Sequence, residues 1–159
     1  MQTVLEAVRK FVSSEHLRNV LAGDWTPLHG EDGRELPGIR GRSGAVAITA
    51  EGREIGADLV EMQPGSAFAL HIHPGDHVLF LLPESAAGLV HIDGADRHVQ
   101  AGDTVFIAAE HAHGVKTYAD ATRPLLFLAF GHPHKHVAAP DRMRLVDPLT
   151  ANPSGPHPH

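Results

Sequence analysis

A series of short apolar runs, each ended by residues that favour turns, begins after Gly44 and limits the possible folds more than any other feature. The runs are rich in Val, Ile, Leu and Phe, and the turns between them carry Gly, Pro and Asp, which is the pattern of antiparallel strands. We predict nine strands, at residues 45–50, 54–63, 68–73, 77–82, 88–92, 97–100, 104–108, 114–117 and 125–131. So many short strands must close into a barrel or pack as a sandwich, because unprotected sheet edges pair with other chains.

The segments on either side of this region have different patterns. Apolar residues recur with helical spacing over residues 4–12, and a second helical piece is predicted over residues 15–21. Glycine and proline interrupt residues 24–44, which we predict to be an irregular arm with at most a short strand around Ile39. The predicted organisation is a helix and arm (1–43), a barrel domain (44–140) and a C-terminal tail (141–159) with a disordered end.

Composition narrows the class of protein. Of the 159 residues, 42% are hydrophobic, which suits one packed domain rather than a disordered chain. The formal net charge is -6, so we expect neither nucleic acid nor a membrane surface as a partner. The lack of cysteine excludes disulfides, thiolate metal ligands and thiol nucleophiles. We see neither a long apolar run nor a secretion signal, and we therefore expect a cytoplasmic protein.

Histidine is the residue type whose abundance is unusual. The chain contains 14 histidines, and ten of them lie from His71 to His136. On a strand, His71 and His73 point to the same face because side chains alternate. His77 opens the next strand after a Pro-Gly turn, and His113 follows a third strand. Neutral imidazoles that converge inside a barrel would form a site for a divalent transition metal.

Two segments resemble the sequence motifs of the cupin superfamily. Residues 65–77 resemble the first motif, in which a Gly, five residues, His-x-His and three or four further residues precede an acidic ligand. Residues 102–114 are similar to the second motif, in which Gly-Asp and a Pro-x-Gly turn precede the last ligand histidine. The resemblance spans residues 55–130 and implies an all-β cupin fold, a double-stranded β-helix or jelly-roll barrel, with an N-terminal helix.

The resemblance implies four metal ligands, which are His71, His73, His77 and His113. Position 77, where the family usually has Glu, is His, and Ala-Ala-Glu at residues 108–110 replaces the Pro-x-Gly turn. The changed turn leaves His111 open as an alternative ligand to His113, and we place the ligand at His113. His111 is then a candidate for orienting a ligand or moving protons.

The ligand set leads to an expected function. Imidazole ligands suit Fe, Mn, Ni, Cu or Zn better than Mg²⁺ or Ca²⁺, and the resemblance favours Fe or Mn. We expect a dioxygenase that oxidises a small organic molecule, with substrate and dioxygen as partners and a homodimer as the assembly. The alternatives are a Lewis-acid isomerase or lyase and a non-catalytic cupin that binds a small molecule.

Other residues carry weaker predictions. We expect four phenylalanines to line the pocket, namely Phe68, Phe80, Phe106 and Phe127. An isomerase or lyase would need a base, for which the candidates are Glu61, Lys116, Tyr118 and His111. Three histidines alternate after the last strand, and we predict solvent exposure for them, with a second metal site or a polar pocket rim as alternatives: His132, His134 and His136.

Overall fold

The computed structural model describes residues 13–146, which form two antiparallel sheets packed against each other. The described elements are helix α1 (Ser13–His16) and strands β1 (Thr26–His29), β2 (Glu35–Ile48), β3 (Glu54–Met62), β4 (Ala67–Ile72), β5 (Asp76–Leu81), β6 (Gly88–Ile92), β7 (Ala95–Val99), β8 (Thr104–Ile107), β9 (His113–Thr117), β10 (Leu125–His132) and β11 (Arg144–Leu145). One sheet has the order β1-β2-β3-β10-β5-β8, and the other has the order β11-β4-β9-β6-β7. The predicted all-β cupin architecture is confirmed.

The hydrophobic core lies between the sheets and follows from the two-residue repeat of the strands. In β10, Leu125, Phe127 and Ala129 are buried, while the residues between them are more exposed. They join one buried cluster with residues of both sheets, including Val60 and Val115. Apolar side chains point inward, and the side chains between them, of mixed polarity, point outward. This alternation allows the strands to be recognised in the sequence.

Eight of the predicted strands correspond to β3 through β10, with each end within two residues. Short apolar runs bounded by turns predict these strands well because inter-strand turns need Gly or Asp at left-handed positions. Gly65, Asp93, Gly94 and Gly102 all have positive φ in such turns.

The prediction of an irregular arm over residues 24–44 is wrong. This segment forms the hairpin of β1 and β2, and β2 pairs with β3 along most of its length. A Cβ at Gly41 would meet Val137, and one at Gly44 would meet the carbonyl of Ala57. These glycines permit close approach within a strand rather than breaking it. The domain boundary predicted between residues 43 and 44 therefore lies inside β2.

The second predicted helix also differs from the helix in the structure. The helix predicted over residues 15–21 extends no further than His16, because the Asn19 side chain accepts a hydrogen bond from the Leu21 amide and competes with helical bonding. The helix predicted over residues 4–12 and the disordered end of the tail lie outside the described residues. Within residues 13–146, no helix is long and apolar enough to cross a membrane.

The start of the predicted tail is a strand, and it completes the site. β11 pairs with β4 on one side, with Leu145 opposite His71, and the Val146 amide donates to the Leu70 carbonyl. β9 pairs with β4 on the other side, with His113 opposite His71. β4 is thus held between two strands at the point where its histidines face the interior.

Candidate metal centre

Three of the four predicted ligands converge. His71 is the last residue but one of β4, His73 follows that strand directly, and His113 begins β9 opposite His71. One ring nitrogen from each of the three lies within 4.8 Å of the others. The three residues are buried, with exposed fractions of 3%, 8% and 3%. We call His71, His73 and His113 the cavity histidines.

Backbone carbonyl groups fix the orientation of all three rings. Nδ1 of His71 donates to the carbonyl oxygen of Ala69 at 2.7 Å, and Nδ1 of His113 donates to that of His111 at 2.9 Å. Nδ1 of His73 donates to the carbonyl oxygen of Arg142 at 2.5 Å. Since a carbonyl can only accept, each neutral ring carries its proton on Nδ1 and has a lone pair on Nε2. The Nε2 atoms of His71 and His73 lie 3.0 Å apart.

The cavity histidines are neutral because of their surroundings. Burial, followed by the positive charge that His113 would carry, lowers the pKa of His71 to about 3. Burial is the main cause that lowers the pKa of His73 to about 2, and the positive charges that His71 and His77 would carry are the next causes. Burial also lowers the pKa of His113. Ligand nitrogens must be unprotonated to bind a metal, and these rings meet that condition without losing a proton near neutral pH.

His77, the fourth predicted ligand, lies beside the group. Its ring centroid is 4.3 Å from that of His73, but its nitrogens do not fall within the mutual 4.8 Å distance that the cavity histidines share. Its Nε2 edge packs over Gly131, where a Cβ would lie 3.1 Å away, and its Nδ1 is buried without a hydrogen bond of good geometry. Burial, followed by the charges of His113 and Arg142, lowers the pKa of His77 to about 4.

A small cavity of about 30 Å³ opens beside these rings, enough for about two water molecules. Its apolar lining includes Phe68 and Phe127, as predicted, but excludes Phe80 and Phe106. Those two point outward because their strand neighbours Leu79 and Ile107 take the inward positions.

The cavity also contains a charged residue that the sequence did not indicate. Arg142 lines it together with the four histidines, and only 8% of this residue is exposed. It lies in the segment after Pro140, where the apolar pattern stops, so no periodicity signalled its burial. Only the pairing of β11 with β4 brings this segment over the cavity.

The candidate bases lie elsewhere. His111 contributes its carbonyl to His113, while its ring pairs with Asp93 at 2.5 Å and is 40% exposed. Glu61 accepts from Arg40 at 2.6 Å, and it does not line the cavity. Lys116 and Tyr118 also do not line it; they approach Asp96 and His98, respectively.

The exposure predicted for His134 is wrong. Its Nε2 lies 3.1 Å from Oδ2 of Asp58 and its Nδ1 lies 2.7 Å from Oε1 of Glu54, with 3% of its side chain exposed. Burial alone would lower the pKa of His134, but the hydrogen bonds and charges of the two carboxylates outweigh burial and raise it. His136 is exposed, as predicted, and its ring contacts the Ser43 hydroxyl. His132 is half-buried.

Comparison with known proteins agrees with this architecture. Residues 58–131 match the sequence profile of the cupin domain. No protein with a curated description matches the sequence. Among solved structures, the chain is similar to KdgF from Halomonas sp. (20% identity, TM-score 0.59, 76% of this chain and 96% of that chain). It is also similar to an RmlC-like cupin from Shewanella frigidimarina (16% identity, TM-score 0.59, 77% of this chain and 94% of that chain). A third similar structure is the polyketide cyclase RemF from Streptomyces resistomycificus (18% identity, TM-score 0.50, 62% of this chain and 67% of that chain).

At these low identities the structural likeness shows the fold and leaves substrate and reaction open. The sequence profile covers β4 and β9, which position the cavity histidines, and β5, which carries His77. The sheet order, the histidine cluster and the profile match lead to one conclusion: residues 58–131 form a cupin domain within a chain that has the cupin fold.

Proposed function

We propose that this cupin is a metal-dependent enzyme that acts on a small organic molecule, with one divalent transition metal held by His71, His73 and His113. The 3.0 Å separation of two Nε2 atoms, on His71 and His73, carries the proposal. Both atoms bear lone pairs when the rings are neutral, since both Nδ1 atoms donate to carbonyl groups. Facing lone pairs repel each other, and a shared cation replaces that repulsion by attraction.

The spacing suits a shared metal ion. Two nitrogens that each lie about 2.1 Å from a metal are about 3.0 to 3.4 Å apart for ligand angles between a right angle and the tetrahedral angle. The observed separation of 3.0 Å would allow one ion to bind both nitrogens. Iron or manganese is our first choice for an all-imidazole set, with zinc, nickel or copper as alternatives.

Oxidation of the substrate by dioxygen is the proposed reaction. A bound iron or manganese ion would supply both a redox centre and a Lewis acid. Three protein ligands leave space for a substrate held through two oxygen atoms and for dioxygen. The chain itself orients the ring nitrogens and excludes water with Phe68 and Phe127. Among the described residues, the lining includes no carboxylate, amine or hydroxyl side chain, and redox chemistry does not require one.

A lyase or isomerase is the second candidate, and His77 is the observation that favours it. This ring lines the cavity, and its Nδ1 is buried without a hydrogen bond of good geometry. A neutral imidazole in that position can take a proton from a carbon or oxygen atom of the substrate. Polarisation of a substrate carbonyl would then replace oxidation as the source of rate acceleration.

We also propose that the protein acts as a cytoplasmic homodimer. Support for a dimer comes from the outer face of the six-stranded sheet, where Phe106, Val78 and Phe130 are register neighbours across three strands. Their exposed fractions are 65%, 37% and 43%. A contiguous exposed apolar row is typical of an interface between subunits.

Metal analysis and oxygen uptake test the enzymatic proposal. Protein purified without an affinity tag should contain about one transition metal per chain, and the His73→Ala variant should lose it while the exposed control His91→Ala retains it. Iron-loaded protein should then consume oxygen with a member of a panel of small hydroxy and keto acids. Full metal content in His73→Ala would overturn the assigned site, and substrate conversion without oxygen would favour the lyase or isomerase.

A further inference from the structure

A buried positive charge lies in the cavity wall with almost none of its hydrogen-bonding capacity used. The Arg142 guanidinium donates from Nη1 to the Val137 carbonyl at 3.2 Å, and its Nε is buried without a partner. A guanidinium offers five N–H donors and keeps its charge inside proteins. A buried donor without a partner is costly, so the unpartnered Nε of this charged group points to an acceptor that enters from outside the chain.

The protein supplies no close counter-ion for this group. Asp58 attracts Arg142 electrostatically. Its Oδ2 contacts His134 and its Oδ1 is buried without a hydrogen-bond partner, but neither oxygen lies within ion-pair distance of the guanidinium. Among residues 13–146, the guanidinium forms no ion pair with a carboxylate. The other polar groups of the cavity lining are neutral imidazoles, which add no negative charge.

Charge balance identifies the chemical class of the missing partner. A divalent ion held by neutral histidines would add two further positive charges to the same cavity, where low polarity makes uncompensated charge expensive. A carboxylate offers negative charge and two acceptor atoms whose spacing matches the planar fork of arginine. We propose that Arg142 binds a carboxylate group of the substrate, and that the substrate is a small organic carboxylate; the second statement rests on the proposed function.

The backbone of the same residue links this carboxylate position to the metal site. The Arg142 carbonyl accepts from Nδ1 of His73, and two residues later β11 pairs with β4 beside His71. The guanidinium therefore has a fixed position relative to two cavity histidines. Substitution of the side chain leaves the carbonyl in place, so metal binding and carboxylate binding can be separated experimentally.

The test uses the full-length protein loaded with Co²⁺, whose visible absorption reports changes in its ligands. Acetate and formate are titrated, with acetamide and formamide as neutral analogues. Arg142→Gln should weaken acetate binding at least tenfold, and Arg142→Lys should weaken it several-fold because the two-pronged contact is lost. The matched control Arg144→Gln, which removes an exposed arginine in the same segment, should leave acetate binding unchanged. Co²⁺ should still bind to all four proteins, and Arg142→Gln should bind it at least as tightly as the wild type because this variant removes a positive charge from the cavity.

The outcomes separate this inference from the metal proposal. Equal acetate affinity in the wild type and Arg142→Gln, with Co²⁺ bound, would overturn the carboxylate site and leave the metal site standing. If no variant binds Co²⁺, the metal proposal fails, and the thermal stability of the metal-free protein decides: acetate but not acetamide should raise Tm in the wild type and in Arg144→Gln, but not in Arg142→Gln. If Arg142→Gln does not fold, Arg142→Lys replaces it, and unchanged acetate affinity in that variant counts against the inference.

Discussion

The cavity histidines and His134 are both buried, yet the structure drives their protonation in opposite directions. Burial and mutual repulsion lower the pKa of His71 to about 3 and that of His73 to about 2. At His134, burial acts in the same direction, but Asp58 and Glu54 hold its two nitrogens and raise its pKa. The difference lies in the hydrogen-bond partners, which are carbonyl groups in one case and carboxylates in the other.

The comparison shows how one residue type serves two purposes within one barrel. A carbonyl orients an imidazole without adding a charge, so the other nitrogen keeps a lone pair for a cation. Two carboxylates instead favour an imidazolium, which is itself the cation of the site. His134 thereby fastens the segment after β10 to β3, and its amide also donates to the Glu54 carbonyl at 2.8 Å.

The largest effect is expected from His134→Leu. Removing this ring leaves Asp58 buried without its ion-pair partner, and breaking a buried pair in this way costs about 3–5 kcal/mol. Urea unfolding monitored by circular dichroism measures the change. The control His91→Ala breaks an exposed pair with Asp96 and should cost no more than about 1 kcal/mol. Equal stability of the two variants would mean that His134 does not anchor the segment after β10.

The next effect is the pH dependence of stability in the metal-free protein. The unfolding free energy should fall as pH drops from 6.5 towards 4, because unfolded His71 and His73 bind protons there while the folded rings do not. Their contribution is complete above pH 6.5. The contribution of His134 to the unfolding free energy depends on pH in the opposite way. It is present below pH 6.5 and is lost as pH rises through the raised pKa of this residue.

Urea unfolding between pH 4.5 and 8 checks this dependence. His71→Gln removes one titrating ring and should reduce the slope between pH 6.5 and 4.5 by at most about 1.4 kcal/mol per pH unit. An unchanged slope would show that His71 is not held neutral in the folded state. His71 and His73 should meanwhile add little to the pH dependence of Co²⁺ affinity from pH 8 to 5, since neither ring has to lose a proton in the folded protein.

The smallest effect is expected from His77→Ala. Its ring packs over Gly131 rather than joining the cavity histidines, so the loss of Co²⁺ affinity should stay below about tenfold, or about 1.4 kcal/mol. The His73→Ala variant, titrated in the same way, shows how much Co²⁺ affinity is lost when a metal ligand is removed. Equal losses in the two variants would place His77 among the ligands and restore the four-histidine set that the motif implies.

Residue patterns predicted the parts of this site that depend on local spacing. The His-x-His pair is recognisable because alternate residues of β4 and its extension share a face, and β9 was predicted to within one residue. The roles of His134 and Arg142 were not predictable in this way. Both lie in a segment without apolar periodicity, and their burial depends on partners 76 and 69 residues away in the chain, Asp58 and His73.

The sequence by itself determined eight of the strands, their turns and a group of histidines that face inward, because strand periodicity and turn chemistry are local properties. Tertiary structure alone decided which imidazoles are neutral, which one lies between carboxylates, and that a charged arginine closes the cavity. Those outcomes depend on burial and on contacts between distant segments, and burial changes the energy of a charge far more than any neighbour in the sequence does.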